Sequence, residues 1–295
     1  MKRSVQMFLL ILLIVATLSF GVTIIDDAGR LVEIPSVPGK VVSAAPSATR
    51  FLLSLGLENK IVGVTDWDMF QSEKIGNLVP LNIEKIYSLN PDLVITFGGF
   101  QLPEVKKLEK AGLKVVVLNP VTLNDIVKDI TLLGGIFGIS DKASRLADNV
   151  RNEIVNMGIK TSKIPLEKRP TVFFTVTPPD DNVKELWTAG MGSYINELIT
   201  IAGGVNIVAP YTGNNGWLPV DWEFLVYKNP DIIIIASYGD PQKTLNNIKN
   251  SKIFGSLKAV RKGKVYIVNG NEISQISPET VKYLKKFYNF FYGGN

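Results

Sequence analysis

Short apolar runs alternate with amphipathic stretches along most of the chain. Lys40–Ala44, Lys60–Val64, Asp92–Thr96 and Lys114–Leu118 are rich in β-branched residues and almost uninterrupted in apolar character. That is the pattern of strands buried on both faces of a parallel sheet. Helical stretches such as Ser47–Leu55 and Leu102–Ala111 lie between them, and a hairpin signal, Thr23–Ile25 and Leu31–Ile34 around Asp27–Arg30, precedes them. A second set of strands follows at Thr171–Val176, Asp231–Ala236 and Lys264–Val268. The alternation predicts an α/β protein with two mostly parallel sheets.

Between the two sets, Ser140 can cap a helix running from Asp141 to about Gly158. Ala143, Leu146, Val150, Ile154 and Met157 form one apolar stripe along it, and polar Thr161–Arg169 leads to the second half. The expected organisation is a lobe over 22–139, a bridging helix over 140–163 and a second lobe over 164–295. A single long helix is a stiff connector, so a modest hinge is expected; wide closure uses two or three flexible links.

The two halves echo each other. Asn82–Thr96 aligns with Asp221–Ile235: a helix cap, a Glu two residues on, a short helix, an Asn-Pro-Asp break and a buried strand. Proline ends each helix because it cannot continue one. One such match could arise by chance. A match that keeps both the Glu and the strand in register is less easily accidental.

Residues 1–21 form a separate segment. Lys2 and Arg3 precede the uncharged run Met7–Phe20, and Ser19 and Gly21 are small residues at −3 and −1 of a cut before Val22. This is the pattern of a signal peptide that exports the protein to the periplasm or extracellular side. The alternative is an uncleaved anchor, since Val5–Ile25 carries no charge. With no Cys after the apolar run, the expectation is a protein that is not a lipoprotein. Losing the leader would lower the net charge of +5 by two, because it contains two cations and no acid. The remaining lysines are scattered, so no nucleic acid is expected as a partner.

The chain is 46% apolar and 20% charged, as in folded globular proteins, and contains no Cys and no His. Their absence excludes disulfides, iron–sulfur clusters, thiol nucleophiles, a Ser-His-Asp triad and imidazole-based metal sites. In open parallel sheets ligands gather beyond the carboxyl ends of the strands. Those positions are Ala45–Ser47, Asp66–Trp67, Phe97–Gly99, Thr177–Pro178 and Ser237–Gly239. Trp67, Trp187 and Trp217 lie in or beside segments that read as loops, two of them Gly-rich, and suit a broad planar or greasy ligand. Gly98–Gly99 and Gly190–Ser193 lack the spacing of a nucleotide-binding loop. Asp66, Asp68, Asp180 and Asp181 leave a carboxylate-based hydrolase open as an alternative.

Several motifs taken together resemble one family. They are Asp26–Arg30, Val41–Thr49, Leu55-Gly56, Asn90–Ile95, Trp187–Ser193, Asn196–Leu198 and Ala202–Gly204. The chain resembles the periplasmic substrate-binding proteins for iron–siderophore complexes and cobalamin, which serve ABC importers. The resemblance implies two Rossmann-like lobes joined by one long helix, a ligand cleft between them, no catalysis and a monomer that docks on a permease dimer. It implies that Glu84 and Glu223 meet permease arginines. Trp67, Trp187, Trp217 and Phe97 would line the ligand site, with Arg50 and Tyr238 as looser candidates for anionic chelates. The cargo would be a corrinoid or a ferric siderophore. No resident cofactor and no protein-bound metal are expected, because the related zinc and manganese binders use His-rich sets. The residues themselves give Glu84 and Glu223 a second explanation, the preference for acids in a first helical turn.

Overall fold

The computed structural model describes residues 21–178 and 182–293. The expected signal peptide lies almost wholly outside the described residues. The chain separates into two compact units: residues up to Thr49 with Gly56–Asn119 and Thr131–Ala143, and Arg50–Leu55 with Pro120–Ile130 and everything from Ser144. Among the described residues no helix is long and apolar enough to cross a membrane.

The first unit opens on an antiparallel hairpin, β1 (Val22–Ile25) and β2 (Leu31–Ile34), with Val22 opposite Ile34. There follow β3 (Val41–Ser43), α1 (Pro46–Ser54, whose residues from Arg50 on cluster with the second unit), β4 (Ile61–Val64), β5 (Glu73–Lys74), α2 (Ile83–Ser88), β6 (Leu93–Phe97), α3 (Leu102–Lys110) and β7 (Val115–Leu118). The five strands from β3 to β7 form one parallel sheet in the order β5-β4-β3-β6-β7. Every residue of β3, β6 and β7 is buried, which is why these runs lack alternation. Val42, Val94 and Val117 pack with Ile86 and Leu108 from the covering helices. The hairpin is tied on by its turn: Val117 N donates to Asp26 Oδ2 at 3.1 Å and Asn119 N to Asp27 Oδ2 at 2.7 Å. The Asp26–Arg30 motif is therefore a clasp on β7.

Two longer helices follow, α4 (Leu123–Ile136) and α5 (Ser140–Ser162). In α5, Ala143, Val150 and Met157 are buried as expected, Leu146 and Ile154 only half-buried, and Ala147 joins the buried stripe. The helix passes Gly158 and continues to Ser162. Thr161 is buried and its hydroxyl lies 2.8 Å from the Ile201 carbonyl, and Arg169 Nη2 donates to the Thr161 carbonyl at 2.9 Å. These contacts outweigh the roughly 1 kcal/mol penalty of an internal glycine.

The second unit contains β8 (Thr171–Thr175), β9 (Glu185–Ala189), α6 (Tyr194–Ile201), β10 (Val205–Asn206), β11 (Trp217–Asp221), α7 (Trp222–Lys228), β12 (Ile232–Ser237), α8 (Pro241–Asn250), α9 (Lys252–Ser256), α10 (Lys258–Arg261), β13 (Val265–Asn269), α11 (Gly270–Ile273) and α12 (Lys282–Tyr292). Its parallel sheet runs β10-β8-β12-β13, and β9 and β11 form a separate antiparallel ribbon. The α/β class with mostly parallel sheets is therefore as the hydrophobic pattern indicates.

The internal repeat is preserved atom for atom at its joints. Asn82 Oδ1 accepts from Lys85 N at 3.0 Å, and Asp221 Oδ1 accepts from Phe224 N at 2.8 Å. Both helices stop at an asparagine in the left-handed region, Asn90 at φ 47° and Asn229 at φ 41°. The following aspartate then clasps the neighbouring strand. Asp92 Oδ2 accepts from Lys40 N at 2.8 Å, and Asp231 Oδ2 accepts from Thr171 N at 2.9 Å.

At Asp231, burial pushes the carboxyl up, but the bonds from Thr171 and the Lys258 ion pair outweigh it and hold the group at about 2, against an ordinary 3.8. A lowered folded value means stability that is complete above about pH 4 and lost as pH falls through about 2. Asp231→Asn is expected to cost about 1 kcal/mol near neutrality, discounted for partial exposure. It should also flatten the loss of stability between pH 4 and pH 2. Urea unfolding at about pH 6 and about pH 3 measures both, and an acid limb unchanged by the substitution would refute the assignment.

Candidate functional site

The carboxyl end of each parallel sheet carries exposed aromatic side chains, and in the first unit their loops are held by buried polar anchors. In the first unit, Trp67 lies in the loop beyond β4 and is 65% exposed. The loop is pinned from below by Asp68, which is buried. Thr49 Oγ1 donates to its Oδ2, and Phe70 N donates to its Oδ1 at 2.9 Å. Lys74 Nζ ties the same loop by donating to the Asp68 carbonyl at 2.6 Å. The indole stands on a rigid base and meets solvent.

Gln101 organises the next loop. Fully buried, its Nε2 donates to the carbonyls of Ala44 (2.7 Å) and Leu78 (2.9 Å), and its Oε1 accepts from Phe97 N at 2.8 Å. One side chain thus joins the ends of β3 and β6 to the segment before α2. Phe97, the last residue of β6, is itself buried at 8% exposure, so its ring belongs to the strand's core side. The exposed ring is Phe100, three residues on. Gly98, at φ +72°, permits the turn that brings it there. Met69, two residues after Trp67, is exposed as well. Met69 and Phe100 were not candidates from the sequence, because an isolated Met or Phe carries no pattern that separates surface from core.

In the second unit the placement of two tryptophans in Gly-rich loops is corrected. Trp187 is in the middle of β9, opposite Pro219, and Trp217 begins β11, opposite Ala189. The glycines serve close backbone approach instead. Gly190 N donates to the Gly216 carbonyl at 2.8 Å, and a Cβ on Gly190 would stand 2.1 Å from the Tyr211 carbonyl oxygen. Trp187 is 48% exposed and sits just past the end of β8: its N donates to Thr177 Oγ1 at 2.7 Å and its carbonyl accepts from Val176 N at 3.0 Å. Trp217 is half-buried, edge-on to Phe174 and Tyr194 with centroids 6.2 and 6.3 Å apart. Tyr194 is buried, its phenol is pushed up by that burial and then by Tyr238 and Tyr283, and its hydroxyl donates to the Ile273 carbonyl at 2.7 Å.

Tyr238 follows β12 directly and is 51% exposed. Its hydroxyl is 2.6 Å from Ser274 Oγ, and its ring covers Gly270, where a Cβ would lie 2.8 Å from the ring. Arg50 is engaged by protein groups within the second unit: Nε donates to Gln275 Oε1 at 3.0 Å and Nη1 pairs with Glu279 at 3.1 Å. Its charge is already matched, which leaves less of it for an anionic ligand.

Glu84 and Glu223 each occupy the first turn of a short helix, α2 and α7, just after the capping residue. Both are exposed, and neither forms an ion pair among the described residues. Of the carboxylates considered for hydrolysis, Asp66 is exposed, Asp68 is committed to Thr49 and Phe70, and Asp180 and Asp181 lie outside the described residues. Among the described residues no group of three or more acids is gathered to hold a metal ion.

Two α/β units with aromatic surfaces beyond their strands define a class of solute-binding protein. The profile of the periplasmic binding protein family matches residues 41–271, and the chain belongs to that family. It is 29% identical over 272 residues to the uncharacterized ABC transporter substrate-binding lipoprotein YvrC of Bacillus subtilis, covering 89% of this chain and 83% of that one. It is 24% identical over 284 residues to a cobalamin-binding protein of Halobacterium salinarum, covering 93% and 75%. A periplasmic heme-binding protein of Pseudomonas aeruginosa shares the fold, with a TM-score of 0.74 at 22% identity over 86% of this chain and 93% of that one. The Bacillus relative corrects the expectation that the protein is not a lipoprotein. That expectation rested on the lack of a Cys after the N-terminal apolar run, and this relative is named a lipoprotein.

Proposed function

We propose that the protein is a non-enzymatic, extracytoplasmic receptor of an ABC importer that captures a metal chelate of the corrinoid type and hands it to a membrane permease. The observation that carries this reading is the pair of rigidly mounted, exposed indoles, Trp67 and Trp187, each just beyond a parallel strand. Membership of the periplasmic binding protein family and a cobalamin-binding relative support it. Flat apolar faces with few hydrogen-bond donors suit a large macrocycle bound without covalent chemistry. Tyr238, already held by Ser274, would add a phenol beside the exposed indole of the second unit's strand ends in binding the chelate. Glu84 and Glu223 are the docking carboxylates in this reading, one on each copy of the repeated helix.

Titration of the purified protein with cobinamide, cobalamin and ferric siderophores, by calorimetry and by quenching of Trp fluorescence, tests the proposal. Saturable corrinoid binding is expected. Trp67→Ala should weaken it by about 2 kcal/mol, roughly thirtyfold, as for a buried aromatic anchor. Trp67→Phe should recover much of the loss. Binding of a siderophore alone would move the ligand class, and flat titrations throughout would sink the chelate reading.

A further inference from the structure

Three of the turns that lead into the second unit's parallel sheet lie side by side, because β8, β12 and β13 are neighbours in it. They are Lys168-Arg169-Pro170, Asn229-Pro230-Asp231 and Lys262-Gly263-Lys264, the last tightened by Gly263 at φ +66°. With the end of α12 they border a cavity of about 320 Å³. Four cations line it, Lys168, Arg169, Lys262 and Lys264, together with an apolar set of Pro170, Phe291 and Tyr292.

The charges there are not balanced from within. Lys168, Lys262 and Lys264 form no ion pair among the described residues. Arg169 is immobilised through two of its nitrogens: Nε donates to the Ile164 carbonyl at 3.1 Å and Nη2 to that of Thr161 at 2.9 Å. Its Nη1 has no partner among the described residues. The two acids at the cavity are Glu167 and Asp231, and Asp231 is already matched by Lys258 at 2.9 Å. Cations gathered at one concave site repel each other unless an anion joins them. The aromatic wall is held in place too, since Phe291 is buried and the Tyr292 hydroxyl donates to the Gly203 carbonyl at 2.7 Å.

We infer that this cavity binds a small organic phosphomonoester, the phosphoryl oxygens taken by Arg169, Lys262 and Lys264 and the carbon body lying against Pro170 and Tyr292. A dianionic phosphoryl group offers three terminal oxygens to several cations lining one cavity, and the fixed guanidinium of Arg169 keeps Nη1 to donate to it. A monocarboxylate would answer one of these cations. The site lies at the amino ends of the strands, a strand length from Tyr238, about 20 Å for the residues of β12. It is independent of the chelate-binding reading.

The test uses the purified protein with phenyl phosphate as probe, followed by calorimetry and by phosphorus NMR line broadening, with benzoate as the carboxylate control. Vesicles containing phosphatidylglycerol distinguish a lipid headgroup from a soluble phosphate. Saturable binding of phenyl phosphate is expected, weakened about tenfold or more in Lys262→Gln/Lys264→Gln and falling with salt, with benzoate weaker. The Gly263 amide resonance should shift on addition of the probe to the unaltered protein, which tests the location without a variant. Corrinoid titration of the double variant should be unchanged. The proposal is overturned by absence of saturable binding, by a double variant that binds as tightly as the parent, or by association with vesicles but not with phenyl phosphate.

Discussion

Reversing the charge of Glu84 and Glu223 together, by Glu84→Lys and Glu223→Lys, is expected to abolish uptake while the isolated protein still titrates its ligand normally. Both side chains are exposed, and neither residue is among those assigned to the ligand. Their own helices need them little. Each is a first-turn acid worth about 0.3–1 kcal/mol through the helix dipole, and each helix keeps its Asn82 or Asp221 cap. A carboxylate that pairs with a buried arginine of a partner is worth about 2–5 kcal/mol when one side is lost. Two such losses reduce association by several orders of magnitude, far beyond the stability change. The single substitutions separate the two explanations. If the acids serve only their helices, Glu84→Gln and Glu223→Gln lower the melting temperature slightly and leave transport intact. If they dock, the reverse is observed: near-parental melting and a transport defect in whole cells or proteoliposomes.

The helix starts that carry these two residues were legible in the sequence because local chemistry places them, while their docking role came from the family resemblance alone. A cap, a Glu two positions later and an Asn-Pro-Asp stop specify a short helix within about fifteen residues, and the structure repeats that unit with the same joints. The parallel strands were legible for a similar reason, since burial on both faces leaves unbroken apolar runs such as Leu93–Phe97. What was not legible depends on distant partners. Trp187 reads as a loop residue because glycines follow it, yet its strand is held by pairing with Pro219 and its neighbours on β11 and by bonds to Val176 and Thr177. Arg50 reads as a free cation because its partner Gln275 is 225 positions away. Phe97 and Phe100 look equivalent on paper. The end of β6 and the anchoring of Gln101 decide which ring is buried and which meets water.

Phe254→Ala is expected to be the most destabilising of the substitutions considered, and it tests how the second unit supports its exposed glutamate. Phe254 is fully buried in α9, whose first turn is capped by Ser251 Oγ accepting from Phe254 N at 3.0 Å. Its ring meets Trp222 edge-on, with centroids 4.9 Å apart and planes at 86°. Trp222 in turn is the first residue of α7, directly before Glu223, and its indole Nε1 donates to the Val183 carbonyl. The chain of contacts therefore runs from the core through Trp222 to the turn that presents Glu223. Truncation to alanine removes the ring and leaves a cavity, at a cost of about 3–5 kcal/mol. For a unit of this size that lowers the melting temperature by roughly 6–20 °C. Phe254→Leu should cost markedly less, about 1–1.5 kcal/mol, because most of the volume is kept. Thermal melts followed by near-ultraviolet circular dichroism measure both effects, since Trp222 loses its asymmetric environment when its partner ring is removed. A melting temperature for the alanine variant within about 2 °C of the parent would mean that the cavity collapses at little cost. Trp222 would then owe its position to the Val183 bond, and the presentation of Glu223 would not depend on this part of the core.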